Sequence, residues 1–254
     1  MFAFSVFALR LALGMTACLL LLPRGVVNPR YYRIQFLIVL ALTGAAGVLI
    51  HGWNPFLEMF WGFYGVAMGL AVIGSLVWSL EIKSVGEVGK VLAAATIITL
   101  AGALGCLDAS DPAAAVSPLH TALADVTSAA VLGTALSAML MGHSYLVAPT
   151  MSLRPFLILI AALAIAVAAR MTVDGVWLWT ARRSLGNLDN ELILMLLVRW
   201  SVGFAGVLAL TWMTWRTARI RSTQSATGIL YVVVIFCFLG ELTGLLLTNS
   251  TPLL

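Results

Sequence analysis

Charge is scarce in this 254-residue chain: 14 Lys and Arg and 10 Asp and Glu make up 9% of it, against about 25% in an ordinary soluble domain. That shortage, with 62% hydrophobic residues and a mean hydropathy of +1.06, excludes a soluble globular domain. Cysteine is scarce too. Cys18, Cys106 and Cys237 form no CxxC or CxxCH motif, so there is no signal for a zinc or other metal site, an iron–sulfur cluster or covalent haem attachment. Glycines are scattered along apolar runs and build no phosphate-binding loop. The small residues of Leu100–Gly105 read as helix-packing positions. Gly142-His143-Ser144 lacks the context of a serine nucleophile. No signal-peptide pattern precedes the first apolar run, because Arg10 interrupts Met1–Leu22 and a basic leading region is missing. That segment is expected to stay as a helix.

What is present is a series of apolar runs of about 20 residues, the length a helix needs to cross a bilayer. The pattern is not the alternating strand pattern of an outer-membrane barrel. We read an all-α integral membrane bundle, one domain over residues 1–254, with eight spans at 2–22, 33–51, 55–80, 88–107, 118–147, 155–179, 191–214 and 223–247. Asn54-Pro55, Ser117-Pro118 and Arg154-Pro155 punctuate it as breaks or helix starts. Lys and Arg crowd the loops after odd-numbered spans (Arg24, Arg30, Arg33, Lys83, Lys90, Arg154, Arg216, Arg219, Arg221), whereas the other loops hold only Arg182 and Arg183. The positive-inside rule then puts the odd loops in the cytoplasm and both termini outside. The net charge of +4 is this topological bias and points to no nucleic-acid partner.

Against that background, seven ionisable residues inside the spans stand out: Arg10, Glu58, Asp125, Arg170, Asp174, Arg199 and Glu241. Each is costly in lipid, about 2.5–3.5 kcal/mol for Arg or Asp at a helix centre. From about 1.5 Å of rise per residue, all but the midplane-leaning Arg10 fall in the outer half. Two roles fit such a cluster. One is structural, with Arg170 and Asp174 pairing i,i+4 within one helix. The other is a polar cavity in which carboxylates move protons and arginines orient an oxygen-bearing head group. On the second role Glu241 and Asp125 are the catalytic candidates, since three arginines against four acids leave one carboxylate over. Arg199, Arg10 and Trp200 are the quinone-binding candidates. His51 and His120, both near the outer face, are the pair able to bracket a haem b. His143 lies at the inner end of the fifth span.

Eight spans, outer termini, short loops and a last helix carrying Gly240-Glu241-Leu242 resemble the membrane-anchor subunits of DMSO-reductase-type respiratory complexes. The resemblance implies quinol binding and electron delivery to a separate iron–sulfur partner. The expectation is therefore an integral subunit of a respiratory or photosynthetic electron-transfer complex in a bacterial inner membrane, with a quinone in its outer half. A proton- or ion-coupled transporter and a structural or assembly subunit are the alternatives. No clear repeat between spans 1–4 and 5–8 is visible in the sequence.

Overall fold

The structure, a computed structural model, describes residues 2–23, 25–50, 57–80, 85–110, 118–147, 151–181 and 190–250. These form α1 (Phe2–Leu21), α2 (Pro29–Ile50), α3 (Leu57–Ser79), α4 (Val85–Ser110), α5 (Pro118–Val147) and α6 (Arg154–Ala181). They continue as α7 (Asn190–Val198), a π-helical segment (Arg199–Gly206), α8 (Val207–Arg219) and α9 (Thr223–Ser250). Among the described residues, eight spans are long and apolar enough to cross a membrane, since α7, the π segment and α8 run on as one, Asn190–Arg219. The chain is thus a multi-pass helical membrane bundle, with α1 beginning and α9 ending on one face. Helix α2 starts a turn earlier than the apolar pattern suggests. Asn28 Oδ1 accepts from the Arg30 amide at 2.9 Å, and Pro29 occupies the first helical position, where a missing N–H costs nothing. Ser117, expected as a cap, lies outside the described residues.

The helices close into two four-membered rings. In the first, α1 packs on α2 and α4, and α3 packs on both α2 and α4. In the second, α5 packs on α6 and α9, while the seventh span bridges α6 to α9. The same order of neighbours recurs in each half, a correspondence that the sequence does not reveal. The rings meet where α1 and α5 run side by side. These are also the two most enclosed spans, with 78% and 67% of their central windows inside the protein against 22–39% for the others.

Three tiers of contact fasten α5 to the first ring, two made by α1 and the third by α2. At the end nearest the termini, Arg10 meets Asp125. One turn further on, Gly14 lies against the backbone of Ala129 and Gly133, where neither glycine has room for a Cβ. Towards the opposite face, the Tyr31 hydroxyl donates to the Ser137 carbonyl at 2.9 Å and accepts from Gln35 Nε2 at 2.7 Å. Lipid gives apolar side chains little reason to associate, so close backbone approach and interhelical hydrogen bonds carry the contact. Two apolar clusters flank it. One centres on Leu9, Phe60, Leu100 and Leu132, the other on Phe156, Leu163, Val207 and Leu230.

Candidate functional site: a buried six-charge network

The second ring is where the charges converge, and every one of its helices contributes. Asp125 comes from α5, Arg170 and Asp174 from α6, Arg199 from the π segment and Glu241 from α9; Arg10 enters from α1. Asp174 is partly enclosed, and the other five are buried. Glu58 does not join them: it is exposed on α3, away from the second ring. This corrects the count made from sequence. Three arginines face three carboxylates, so the network is neutral and no acid is left without a counter-charge.

Pairing is extensive. Arg10 Nε and Nη2 lie 2.6 and 2.5 Å from Asp125 Oδ1. Arg170 Nη1 is 3.1 Å from Asp174 Oδ1, the intrahelical i,i+4 pair that the spacing suggests. The same guanidinium also reaches across the ring, with Nε donating to Glu241 Oε1 at 3.3 Å. Arg199 donates through Nε to Asp174 Oδ2 at 2.6 Å and through Nη1 to the Gly240 carbonyl at 2.6 Å. Its Nη2 contacts Asp174 as well and lies 3.9 Å from Glu241 Oε1. Asp174 and Glu241 therefore each touch two arginines, and each of those arginines touches both acids.

The local backbone makes this reach possible. Arg199 opens the π-helical segment Arg199–Gly206, a widened turn of the kind that interrupts α-helices where side chains must be re-aimed. Gly203 and Gly240 then bring the seventh span and α9 together: a Cβ on Gly203 would stand 2.7 Å from Gly240 Cα. One turn along α9, the guanidinium of Arg199 covers Gly244, where any side chain would overlap it. The sequence Gly240-Glu241-Leu242-Thr243-Gly244 thus works as a unit, its glycines admitting Arg199 and its glutamate helping to neutralise it.

Several candidates acquire definite places. Glu241 and Asp125 sit in the network. So do Arg199 and Arg10, but their donors are engaged by carboxylates and a carbonyl. Trp200 lies alongside: its ring meets Phe204 edge-on at 5.3 Å and packs over Gly175, beside Asp174. His120 stacks on Trp177 with ring centroids 4.1 Å apart, whereas His51 lies outside the described residues. Sequence reasoning misses Arg170 and Asp174 as site residues, although they are the hub of the network. Their charge within an apolar span marks them and their i,i+4 spacing suggests an internal pair, but neither signal carries information about the neighbouring helix.

Five buried polar atoms in this region have no hydrogen-bond partner among the described residues: Glu241 Oε2, Ser128 Oγ, His120 Nε2, Trp177 Nε1 and Arg170 Nη1, the last of which is ion-paired with Asp174. Ser128 lies next to Glu241. The network therefore has two components, arginines committed to internal pairs and a fringe of donors and acceptors still able to engage something else.

The Arg10–Asp125 pair joins the two rings, which gives a clear expectation. Arg10→Leu and Asp125→Leu should each destabilise the purified protein by about 3–5 kcal/mol, because each leaves one charge buried alone. The double variant should recover most of that loss, and melting midpoints of the three proteins in one detergent would measure it. A double variant as weak as the sum of its parts would mean the two residues are not partners.

No family model, curated protein or solved structure matches the chain.

Proposed function

We propose that the protein is an integral subunit of an electron-transfer complex in a bacterial inner membrane. In this reading it binds a quinone or quinol beside the charged network, in the outer half of the bilayer, and takes up protons there. The observation that carries it is Glu241: a buried carboxylate with one oxygen held by Arg170 and the other, Oε2, facing no charged partner among the described residues, with the Ser128 hydroxyl as its neighbour. Such an oxygen suits the hydroxyl of a quinol. His120 Nε2 and Trp177 Nε1 are further groups free to meet a quinone oxygen. Arg170 and Arg199 lie against Glu241 and Asp174 and offset their charge inside the bundle.

On this reading, oxidation of the quinol sends its two electrons to a redox partner subunit and releases two protons, the first to Glu241 and the second to water at the outer face. Arg170 and Arg199 hold the carboxylate in place and offset its charge before the transfer. No step here uses a haem b, and His51, the other histidine of the candidate pair, lies outside the described residues.

The test is to isolate the protein from native membranes under mild conditions and identify the polypeptides and quinones that accompany it. Redox subunits and quinone are expected. Glu241→Gln should then lower quinol oxidation by about a hundredfold or more per assembled complex, the usual contribution of a proton acceptor. A lone polypeptide without quinone would overturn the reading.

The recurrence of the four-helix ring favours a second reading. Transporters are often built from two such halves around an axis along the membrane normal, with ionisable residues at or near their junction. In that case Asp125 and Glu241 are the proton or cation sites, and the purified chain alone would move its substrate in liposomes.

A further inference from the structure

The face opposite the termini carries three exposed arginines within six residues, Arg216, Arg219 and Arg221, where α8 turns into α9. We propose that this patch is a binding site for the phosphate-bearing headgroup of an acidic phospholipid. The inference stands apart from the quinone reading and uses none of its residues.

Depth comes first. Trp212 is 60% exposed near the end of the apolar stretch, the position at which indole rings mark the boundary between hydrocarbon and headgroups. Arg216 is one turn beyond it, about 6 Å further along the axis, and Arg219 and Arg221 follow directly. The three guanidinium groups are therefore at the level of lipid phosphates.

Their state is equally telling. The buried arginines of this protein are all matched by carboxylates, whereas no ion pair engages Arg216, Arg219 or Arg221 among the described residues. Arg216 lies over the Trp212 ring, 5.1 Å from its centroid, a contact that restrains the side chain and leaves its edge nitrogens available. Arg221 adopts a left-handed backbone conformation, φ 60°, at the tight reversal between the two helices. A guanidinium binds a phosphate through two parallel hydrogen bonds, which a choline headgroup's own positive charge opposes. Arg30, Arg33 and Arg154 are exposed at helix starts on the same face, so the surrounding surface attracts acidic lipid as well.

The experiment uses the purified full-length chain in a neutral detergent, titrated with phosphatidylglycerol, phosphatidylcholine, or soluble glycerol phosphate at equal concentration. Phosphatidylglycerol should raise the melting midpoint, and native mass spectrometry should show it retained as a one-to-one adduct. The other two should do neither. Replacing all three arginines by Gln should weaken retention by about a hundredfold, at roughly fivefold per charge near a membrane surface, with the unliganded midpoint unchanged because the three side chains are exposed. Equal shifts with phosphatidylcholine would overturn the proposal, as would undiminished retention by the triple variant. A response to glycerol phosphate as large as that to the lipid would also overturn it, by making the patch a site for free phosphate.

Discussion

Arg199→Leu should destabilise the protein by about 3–5 kcal/mol, the usual consequence of stripping one partner from a buried ionic network. Three interactions disappear together: those with Asp174, with the Gly240 carbonyl and with Glu241. Arg170 would then be left to serve both acids, and the network would become net negative inside the bilayer. Leucine would also leave the surface of Gly244 uncovered, because the guanidinium that fills that space is gone. Arg199→Lys should fall between the two, since one ammonium lacks the planar fork that reaches Asp174 and the Gly240 carbonyl at once. Pairing Arg199→Leu with Asp174→Leu restores neutrality and should recover part of the loss. Denaturation in a defined detergent or bicelle distinguishes these cases, and a single leucine variant within about 1 kcal/mol of the parent would contradict them. One practical consequence is that activity lost in an Arg199 variant says little about ligand binding until its folding has been checked.

The other large effect is steric. Gly14→Val should abolish the native fold or cost at least 3 kcal/mol, roughly the upper end of ordinary overpacking. The colliding atoms belong to the backbone of Ala129 and Gly133 in α5, and a helix backbone has no alternative rotamer to adopt. Separating α1 from α5 would also lengthen the Arg10–Asp125 pair one turn away, so the added side chain disturbs both tiers that α1 makes with α5. Gly62→Ala is the matched control. That glycine, on α3, has nothing within 4 Å of the place a Cβ would take, and alanine there should be neutral or stabilising by up to about 1 kcal/mol. Yield of monodisperse protein and melting midpoint would report both substitutions.

The spans are legible because lipid imposes a length and a composition that sequence displays directly. Their ends are less so: the seventh runs to Arg219, since basic side chains extend a helix past the apolar core without penalty. The charged residues are also identifiable one by one, yet their partnerships are not. Arg170 bonds Asp174 within its own helix and Glu241 across the ring, and only helix rotation decides the second contact. Glu58 has the same composition-based claim to a place as Asp125, but α3 turns it outward. Small residues show the same limit. In Leu100–Gly105, Gly102 meets Phe63 while Gly105 meets nothing, whereas the closest crossing is made by Gly14, in a run with no repeated glycine pattern.

Asp125 lies 115 residues after Arg10, and that interval has a meaning during synthesis. At about 5–20 residues per second, α5 follows α1 into the membrane by roughly 6–23 s. Throughout that time the first helix carries a cation whose counter-charge has not yet been made, and the glycine surface meant for α5 is bare. Arg170 and Asp174 emerge together and can shield one another at once, but Glu241 arrives last. The nascent chain thus passes through a period in which its earliest helix is its least settled one, and a factor that shelters α1 until α5 appears would act on the slowest and most exposed stage of assembly.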